Sequence, residues 1–365
     1  MINKLVLENL KDHWVRTFLS ALVVGVQVMS ILTLIGLSRG MLEDSAKRAS
    51  GTGADIFLKP GGGFSLSAGQ VNEKFVDFVA KQPHVVRAVG VLMIPVQLIT
   101  VLNGVDVAQF EKMSGGFHFV AGGAPSDPDD LIVDVYYAQQ NRLHVGDTVK
   151  LLNHNWRLSG IMQSGVLGRL VVQIRRLQEL TGNADPPRIS EILLKLDNPA
   201  LTDQEVKTLN QLLQGNLTAI SMRDFVSQFS VNNIPQLRAF IGVITVLAVV
   251  VGFLVVFLSM YTAVVERTRE IGILKALGAK PLKIVDILVR EAVLLALVGC
   301  ALGIALSFGA KTLVMALMPA SLQVVTVPDW WPIAAAIALG GALLGAIYPG
   351  LKAARQDAIE ALAYE

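Results

Sequence analysis

Four long apolar runs without a charged residue constrain this chain more than any other feature of its sequence. A helix needs about 20 residues to cross the hydrocarbon core of a bilayer, and each run approaches or exceeds that length. The uncharged stretches are 17–38, 239–265, 292–310 and 333–351. Because the third and fourth continue into their flanks, the sequence predicts four transmembrane α-helices, at 17–38, 239–265, 286–317 and 331–351.

Composition supports a membrane protein and counts against a nucleic-acid partner, a disulfide and a Cys-based zinc site. Of the 365 residues, 53% are hydrophobic and only 16% are charged, which is unusual for a soluble domain. The net charge of +2 is too small to indicate a nucleic-acid partner. Cys300 is the single cysteine, so neither an intrachain disulfide nor a Cys-based zinc site is expected.

The first sixteen residues place Leu5, Leu7 and Leu10 among Lys4, Lys11 and Arg16, and Trp14 stands near the start of the first run. This pattern predicts an amphipathic helix over 1–16 at the cytoplasmic membrane face. A cleaved signal peptide is the alternative, but its apolar core would span only about 7–15 residues and precede small residues. Because Arg39 directly follows a longer run, we interpret 17–38 as a true span.

Residues 39–235 change character, since charges, Pro and Gly return and apolar runs shorten to strand length. Such a pattern predicts a large mixed α/β domain between the first and second transmembrane helices. Strands are predicted at 55–59, 85–101, 131–137, 148–152, 156–162 and 189–196. Helices are predicted at 72–82, 170–181, 202–213 and 221–238.

Basic residues near the ends of the four runs predict the orientation of the chain. With four spans, both termini lie on one side, and most of these residues fall there, so the positive-inside rule makes that side cytoplasmic. The 39–235 domain is then extracytoplasmic, and 352–365 is a cytoplasmic tail. The basic residues on that side are Lys4, Lys11, Arg16, Arg267, Arg269, Lys275, Lys280, Lys283, Lys352 and Arg355, whereas Arg39, Arg238 and Lys311 flank the spans on the other side.

The cytoplasmic segment 266–285 has the pattern of a short capped helix. Ile271, Leu274 and Leu277 recur three residues apart and form one apolar stripe. Gly278 suits the position just past a helix end, and Pro281 suits the first turn of the next helix. A structured helix here predicts a surface that docks a partner; a helix lying flat on lipid headgroups is the alternative.

Two pairs of glycines lie one helical turn apart within the third and fourth spans. They are Gly299 with Gly303, and Gly341 with Gly345. Small residues at this spacing let helix backbones approach closely. Packing within the chain and a contact with a second copy both remain open from the sequence.

These features resemble the FtsX-like permeases of ABC transporters, of the macrolide-exporter and lipoprotein-releasing types. The resemblance in architecture rests on the four spans and on the large domain after the first of them. Sequence likeness lies in the ERTREIG and ALGA segments between 266 and 279, in Glu291, and in the Tyr348-Pro349 and IEAL segments of the C-terminal part. The chain has Ala358 and Ala363 where the family usually has Pro and Arg, so contacts made by those two positions do not carry over.

The resemblance implies two sets of functional residues. The residues that it implies for coupling to an ATPase are Glu266, Arg267, Arg269, Glu270, Ile271, Gly272, Leu274, Lys275, Ala276, Leu277, Gly278 and Ala279. The residues that it implies for docking or bracing are Glu291, Arg355 and Glu360.

The resemblance also implies partners and a mechanism. The permease would pair with a second permease, identical or different, and with ABC-type ATPase subunits that bind ATP and Mg. Hydrolysis of ATP by these subunits would move the extracytoplasmic domain by mechanotransmission, for export or release of a lipoprotein, lipid, peptide or drug at a bacterial inner membrane. A membrane-fusion protein or a lipoprotein carrier is a further expected partner. The alternative is an ATPase-driven regulator of an extracytoplasmic cell-wall hydrolase.

No catalytic constellation is evident in the sequence, which counts against a third interpretation, a membrane-anchored enzyme. The nearest approach to a phosphate-binding loop, between Gly303 and Thr312, lacks the required glycine-lysine spacing and lies at the outer end of a span. We therefore expect no bound cofactor and place ATP hydrolysis in a partner. Asp127, Asp129 and Asp130 lack calcium-loop spacing. No metal-ligand spacing links His13, His84, His118, His144 and His154.

Overall fold

A computed structural model describes residues 14–61, 70–96, 100–213, 215–320 and 322–355. These residues form two compact units. The helix unit holds the described residues up to Arg39, Pro235–Val314 and those from Val324 onward. The inserted domain is formed by Gly40–Ile234 and Met315–Gln323. Most of the predicted 1–16 helix, and Glu360 in the predicted tail, lie outside the described residues.

Helices and strands are numbered in chain order. Three short 3-10 turns, Pro199–Leu201, Val231–Asn233 and Pro328–Trp330, accompany them. The elements are α1 (Trp14–Ser50), β1 (Ile56–Pro60), β2 (Val71–Asn72), α2 (Lys74–Ala80), β3 (Val85–Pro95), β4 (Val101–Val105), α3 (Val107–Ser114), β5 (Phe119–Gly122), β6 (Asp130–Asp134), α4 (Val135–Asn141), β7 (Thr148–Leu151), β8 (His154–Met162), β9 (Leu170–Gln173), α5 (Ile174–Leu180), β10 (Arg188–Ile189), β11 (Glu191–Leu196), α6 (Thr202–Leu213), β12 (Leu217–Ser221), α7 (Met222–Ser227), α8 (Pro235–Glu266), α9 (Thr268–Ala276), α10 (Pro281–Leu317) and α11 (Trp331–Arg355).

Within the described residues, four helices are long and apolar enough to cross a membrane. They are α1, α8, α10 and the helix that runs from Pro328 through α11. The first is longer than the predicted 17–38, because it continues to Ser50. Residues 39–50 include Met, Leu, Glu, Ala, Lys and Arg, which are good helix formers, so the end of the apolar run does not end the helix.

The paired glycines bring helices of the same chain together. A Cβ added at Gly299 of α10 would lie 2.8 Å from Val24 Cβ on α1, and one at Gly303 would lie 2.6 Å from Val28 Cβ. On α11, a Cβ at Gly345 would lie 3.0 Å from the Phe253 carbonyl oxygen of α8. Of the two possibilities left open by the sequence, the structure therefore has packing within one chain.

The inserted domain is built on a ten-stranded mixed sheet. Its strand order is β12-β1-β11-β3-β4-β9-β6-β8-β5, with β7 paired to β8. All neighbouring pairs are antiparallel except β4 with β9 and β6 with β8. Alternate residues of β1 enter different clusters, since Ile56 and Leu58 belong to one and Phe57 to another. The sheet is therefore buried on both faces.

Two predicted strands differ from those observed. The predicted strand 85–101 is a hairpin, because β3 ends at Pro95 and β4 begins at Val101. The predicted strand 131–137 ends at Asp134, whose carboxylate accepts a hydrogen bond of 2.8 Å from the Tyr137 backbone N–H and so starts α4.

Two predicted helices are also corrected, and a third is confirmed. The segment 170–181 begins as strand β9, and its helix starts only at Ile174. The segment 221–238 is interrupted after Ser227, and α8 starts at Pro235, because proline fits the first turn of a helix better than its interior. The predicted helix at 202–213 coincides with α6.

One segment of the inserted domain comes from a distant part of the sequence. Met315–Gln323, which follows the third apolar run, belongs to this unit. Ala320 is buried in the larger apolar cluster, and its backbone N–H donates a hydrogen bond of 3.1 Å to Gln140 Oε1. The sequence prediction assigned no part of 315–323 to this domain.

Candidate coupling site

The predicted coupling helix forms as α9 and is closed at both ends. Helix α8 ends at Glu266, and the backbone of Arg267 leaves the helical conformation before α9 begins. At the other end, the Gly278 N–H bonds the Lys275 carbonyl at 2.9 Å and the Ala279 N–H bonds the Leu274 carbonyl at 3.0 Å. This pair of bonds is a Schellman motif.

The predicted positions of Gly278 and Pro281 are confirmed. Gly278 has a φ of +88°, a left-handed conformation that costs glycine little and other residues more. Pro281 is the first residue of α10. Its fixed φ suits the first helical turn, so the chain turns sharply between α9 and α10.

A buried ion pair ties the start of α9 to α10. Arg267 Nη1 lies 3.0 Å from Glu291 Oε1, and the two residues are 9% and 3% exposed. Charges this deeply buried are stable only when paired, because each loses its hydration. The sequence prediction gave Arg267 to coupling and Glu291 to docking or bracing; the structure brings them together inside the helix unit.

The apolar stripe predicted for docking is buried at one residue and exposed at another. Ile271 is buried in a cluster with Val264, Ile284, Leu288 and Ala353, on helices α8, α10 and α11. Leu277, in contrast, is 80% exposed. Ile271 therefore holds α9 to its own chain and does not present a surface to a partner.

The outer side of α9 keeps Leu277 of the predicted stripe and adds residues from outside it. Ile273 and Leu277, four residues apart, are both exposed, and Leu282 is exposed just beyond the turn. Arg269 and Glu270 are exposed beside them. Ile273 was missed from the sequence, although its spacing of four from Leu277 was the available signal.

A third contact joins the last turn of α9 to the end of α11. Lys275 Nζ donates a hydrogen bond of 2.7 Å to the Ala354 carbonyl oxygen. A hydrogen bond from a charged ammonium is stronger than one between neutral groups, so this contact holds α9 against α11. Arg355, predicted to dock or brace, is exposed next to this contact.

The remaining predicted residues surround these contacts. Glu266 forms an ion pair with Arg16 at the start of α1. Gly272 is buried, Leu274 and Ala279 are half-buried, and Ala276 is exposed. Helix α9 is thus bound to three helices on one side, while its other side presents a small surface of apolar and charged side chains.

The acidic turn of the inserted domain, which contains Asp129 and Asp130, forms ion pairs with basic side chains of the same domain. Asp129 Oδ1 lies 2.6 Å from Arg176 Nε and 2.8 Å from His154 Nε2. Arg157 lies 2.7 Å from Asp130. The hydrogen bond from Arg176 lowers the pKa of Asp129 below its usual range. Within the described part of the chain, no group of three His, Cys, Asp or Glu side chains is arranged to hold a metal ion.

Four membrane-length helices, a large inserted domain and a braced helix between the second and third spans define a multi-pass membrane protein of the permease class. Two family models match this chain. The MacB-like periplasmic core domain matches residues 17–212, and the FtsX-like permease C-terminal domain matches residues 242–358. The chain belongs to the FtsX-like ABC permeases with a MacB-like periplasmic core domain.

Relatives agree with this assignment. The macrolide export ATP-binding/permease protein MacB of Shewanella sp. ANA-3 is 29% identical over 99% of this chain. MacB of Escherichia coli is 24% identical over the same share. This chain spans 60% of the length of each. An uncharacterized ABC transporter permease of Bacillus subtilis, YknZ, is 28% identical over 60% of this chain and 55% of its own length.

Solved structures of two periplasmic or extracellular domains are also similar to part of this chain. The periplasmic region of MacB from Actinobacillus actinomycetemcomitans has a TM-score of 0.37 and 16% identity. The match covers 48% of this chain and 93% of that one. The extracellular domain of YknZ has a TM-score of 0.35 and 12% identity, covering 46% of this chain and 98% of the other.

Proposed function

We propose that this chain is the membrane-spanning part of an ABC-type complex in a bacterial inner membrane. Both termini would lie in the cytoplasm and the inserted domain in the periplasm. The family assignment and the basic residues that flank the apolar runs support this orientation. ATP and Mg would be bound by an ATPase, and the relatives with the longer chains are named ATP-binding/permease proteins.

The observation that carries the proposal is the bracing of α9. Three contacts, at Arg267, Ile271 and Lys275, fix this helix to α10 and α11. Its exposed side, with Ile273 and Leu277, would sit in a cleft of the ATPase. Because a braced helix cannot move alone, ATP-driven motion of the ATPase would displace the membrane helices with it.

The displaced helices would in turn move the inserted domain. Helix α1 runs without interruption from Trp14 to Ser50, and its residues from Gly40 onward belong to the inserted domain. A continuous helix transmits displacement along its axis better than a flexible linker does. The domain would act on a lipoprotein, lipid, peptide or drug during export or release, with a membrane-fusion protein or a lipoprotein carrier as its periplasmic partner.

A second permease would complete the assembly within the membrane. Helix α8 leaves much of its apolar surface uncovered, including Val243, Val246, Val250 and Leu254. Inside a bilayer, lipid and another transmembrane helix can each cover such a surface. The exposed face therefore supports both contacts that we propose for this helix, with membrane lipid and with a second permease, identical or different.

The decisive experiment replaces the most exposed leucine of α9. Leu277→Asp should leave the protein folded, because Leu277 makes little contact with its own chain, but should weaken capture of the ATPase. Loss of one buried leucine contact corresponds to about 1.5–3 kcal/mol, or an about 10- to 150-fold weaker complex. Leu212→Asp changes an exposed leucine of the inserted domain and is the matched control.

Binding is measured by co-purification from membranes, and folding by size-exclusion chromatography of each variant. The ATPase is identified by mass spectrometry of the parent complex. If Leu277→Asp and Leu212→Asp retain the ATPase equally well, α9 is not the docking element, and the proposed route of coupling fails.

A further inference from the structure

A line of polar and small residues runs between the first two membrane helices. Arg16, Ser20 and Gln27 contribute it from α1, and Gly252, Ser259 and Glu266 contribute it from α8. We call this line the polar seam. Because the helices are antiparallel, its members face one another in reverse order along the chain.

Each level of the polar seam has a specific contact. Arg16 forms an ion pair with Glu266 at one end. Ser20 Oγ and Ser259 Oγ are hydrogen-bonded at 2.9 Å, and both serines are buried. Seven residues further along each helix, the carboxamide of Gln27 lies directly on Gly252: a Cβ added there would lie 2.0 Å from Gln27 Oε1.

The equal spacing of seven residues on both helices gives one register. Seven residues make about two helical turns, so Ser20 and Gln27 lie on one side of α1, and Gly252 and Ser259 lie on one side of α8. A slip of one residue would bring the side chain of Val251 or Phe253 toward the space that Gly252 leaves open. Close-packed interiors do not accommodate such a change in volume.

Gln27 is an unusual residue for its position. It lies near the middle of the apolar run 17–38, yet it is only 7% exposed. Polar side chains in the middle of a membrane helix are costly and face the interior of the bundle. Here a carboxamide fills the gap above a glycine, which an aliphatic side chain of another shape would not fill equally well.

We propose that the polar seam fixes α1 and α8 in one register, and that Gln27 seated on Gly252 sets this register. The two helices then move as one body. This inference deepens the proposed function, on which it rests. Helix α8 ends beside α9, and the last residues of α1 belong to the inserted domain, so the seam is the contact that passes displacement from one helix to the other.

Cross-linking tests the seam without any partner. In full-length Cys300→Ala protein in native membranes, Ser20→Cys with Ser259→Cys should form a disulfide on mild copper-phenanthroline oxidation. The disulfide protects both thiols from a polyethylene-glycol maleimide, which is read as a lost gel shift. Ser20→Cys with Leu258→Cys is the control, because Leu258 points away from the bundle and is exposed.

The register is tested by enlarging the side chain at Gly252 of α8 and then reducing the one at Gln27 of α1. Gly252→Ala should slow disulfide formation severalfold, because the new methyl group displaces the Gln27 carboxamide. Gln27→Ala combined with Gly252→Ala should restore the rate, since alanine lacks the atoms that clash. Gly242→Ala is the matched control on the same helix, where an added Cβ meets nothing within 4 Å.

Several outcomes would overturn the proposal. They are no disulfide between positions 20 and 259, an equal rate in the Gly252→Ala protein, and no recovery in the double variant. Where an ATPase co-purifies, the disulfide should leave its ATP hydrolysis unchanged, and loss of that activity would show that α1 and α8 must separate. If no ATPase co-purifies, the proposed function fails, while the cross-linking rates still decide whether Gln27 and Gly252 set the register.

Discussion

The guanidinium of Arg169 joins two carboxylates of the inserted domain, at 2.7 Å from Asp44 and 2.6 Å from Asp134. The side chains of Arg169, Asp44 and Asp134 are 12%, 14% and 1% exposed. Asp44 belongs to the last turns of α1, and Asp134 ends β6. Arg169 therefore links the end of α1 to the central sheet through two ion pairs.

Removing this arginine should destabilise the inserted domain strongly. Arg169→Ala leaves the buried Asp134 carboxylate without its ion-pair partner and leaves Asp44 paired with Arg48 alone. Breaking a buried pair in this way costs about 3–5 kcal/mol. Arg175→Ala is the control: its ion pair with Glu73 is at the surface, where such pairs contribute about 0–1 kcal/mol. Thermal unfolding of the purified chain in detergent measures both. Equal losses of stability would contradict a special role for Arg169.

The ion pair between Arg267 and Glu291 predicts a rescue by a second substitution. Arg267→Ala should reduce the yield of folded protein, because it leaves a carboxylate buried among helices. Adding Glu291→Leu should recover the yield, since an apolar residue of similar size replaces a buried charge at little cost. Size-exclusion profiles and thermal unfolding report the result. Arg290→Ala, whose partner Asp286 is exposed, is the control and should keep the yield of the parent. A double variant that recovers no yield would contradict the role given to this pair.

The half-buried Glu191 predicts a pH dependence of stability. It begins β11 opposite Val91 in the sheet, and burial raises its pKa to about 8. The folded state thus binds a proton that the unfolded state releases near pH 4.3, so the stability from this group is full at low pH and is lost as pH rises toward 8.

Glu191→Gln removes this titration. The melting temperature of the variant relative to the parent should therefore rise between about pH 5 and about pH 9. The same substitution at the exposed Glu179 is the control. A difference between Glu191→Gln and the parent that stays constant over this range would show that Glu191 does not titrate within it.

The left-handed backbone at Gly278 predicts a graded series of variants. An added Cβ meets no atom within 4 Å, so any cost comes from the backbone conformation. Asparagine tolerates this conformation better than a β-branched residue, and Gly278→Val should cost roughly 1–2 kcal/mol more at the end of α9.

In ATPase assays on reconstituted complexes, Gly278→Val should retain binding but lower coupling, and Gly278→Asn should have a smaller effect. Gly242→Ala, near the start of α8 and with a helical backbone, controls for the loss of a glycine. Equal activity of Gly278→Val and the parent would show that this turn does not transmit motion.

The proposed orientation is tested by labelling from outside the cell. In a Cys300→Ala background, Ser126→Cys in the inserted domain should react with an impermeant thiol reagent in spheroplasts. Lys280→Cys, between α9 and α10, should react only after the membrane is opened. Both positions are exposed in the structure, so burial does not confound the comparison. The reverse pattern of labelling would invert the orientation.

The amino-acid sequence by itself determined the membrane class of this protein, the position of the inserted domain in the chain order, and the cap of α9 at Gly278 and Pro281. Each depends on information that is local in the chain. Long uncharged runs report burial in lipid, and glycine and proline report backbone conformation at their own positions. Family motifs in 266–279 added the expected coupling role.

Only the tertiary structure decided which way side chains face and which distant residues meet. The periodicity of α9 predicts an apolar stripe, yet a single helix does not reveal that Ile271 packs inward while Leu277 stays exposed. Asp44, Asp134 and Arg169 are separated by up to 125 residues. Their meeting, like that of Gln27 with Gly252, depends on how whole elements pack, because burial and pairing are properties of the assembled chain and not of any short segment.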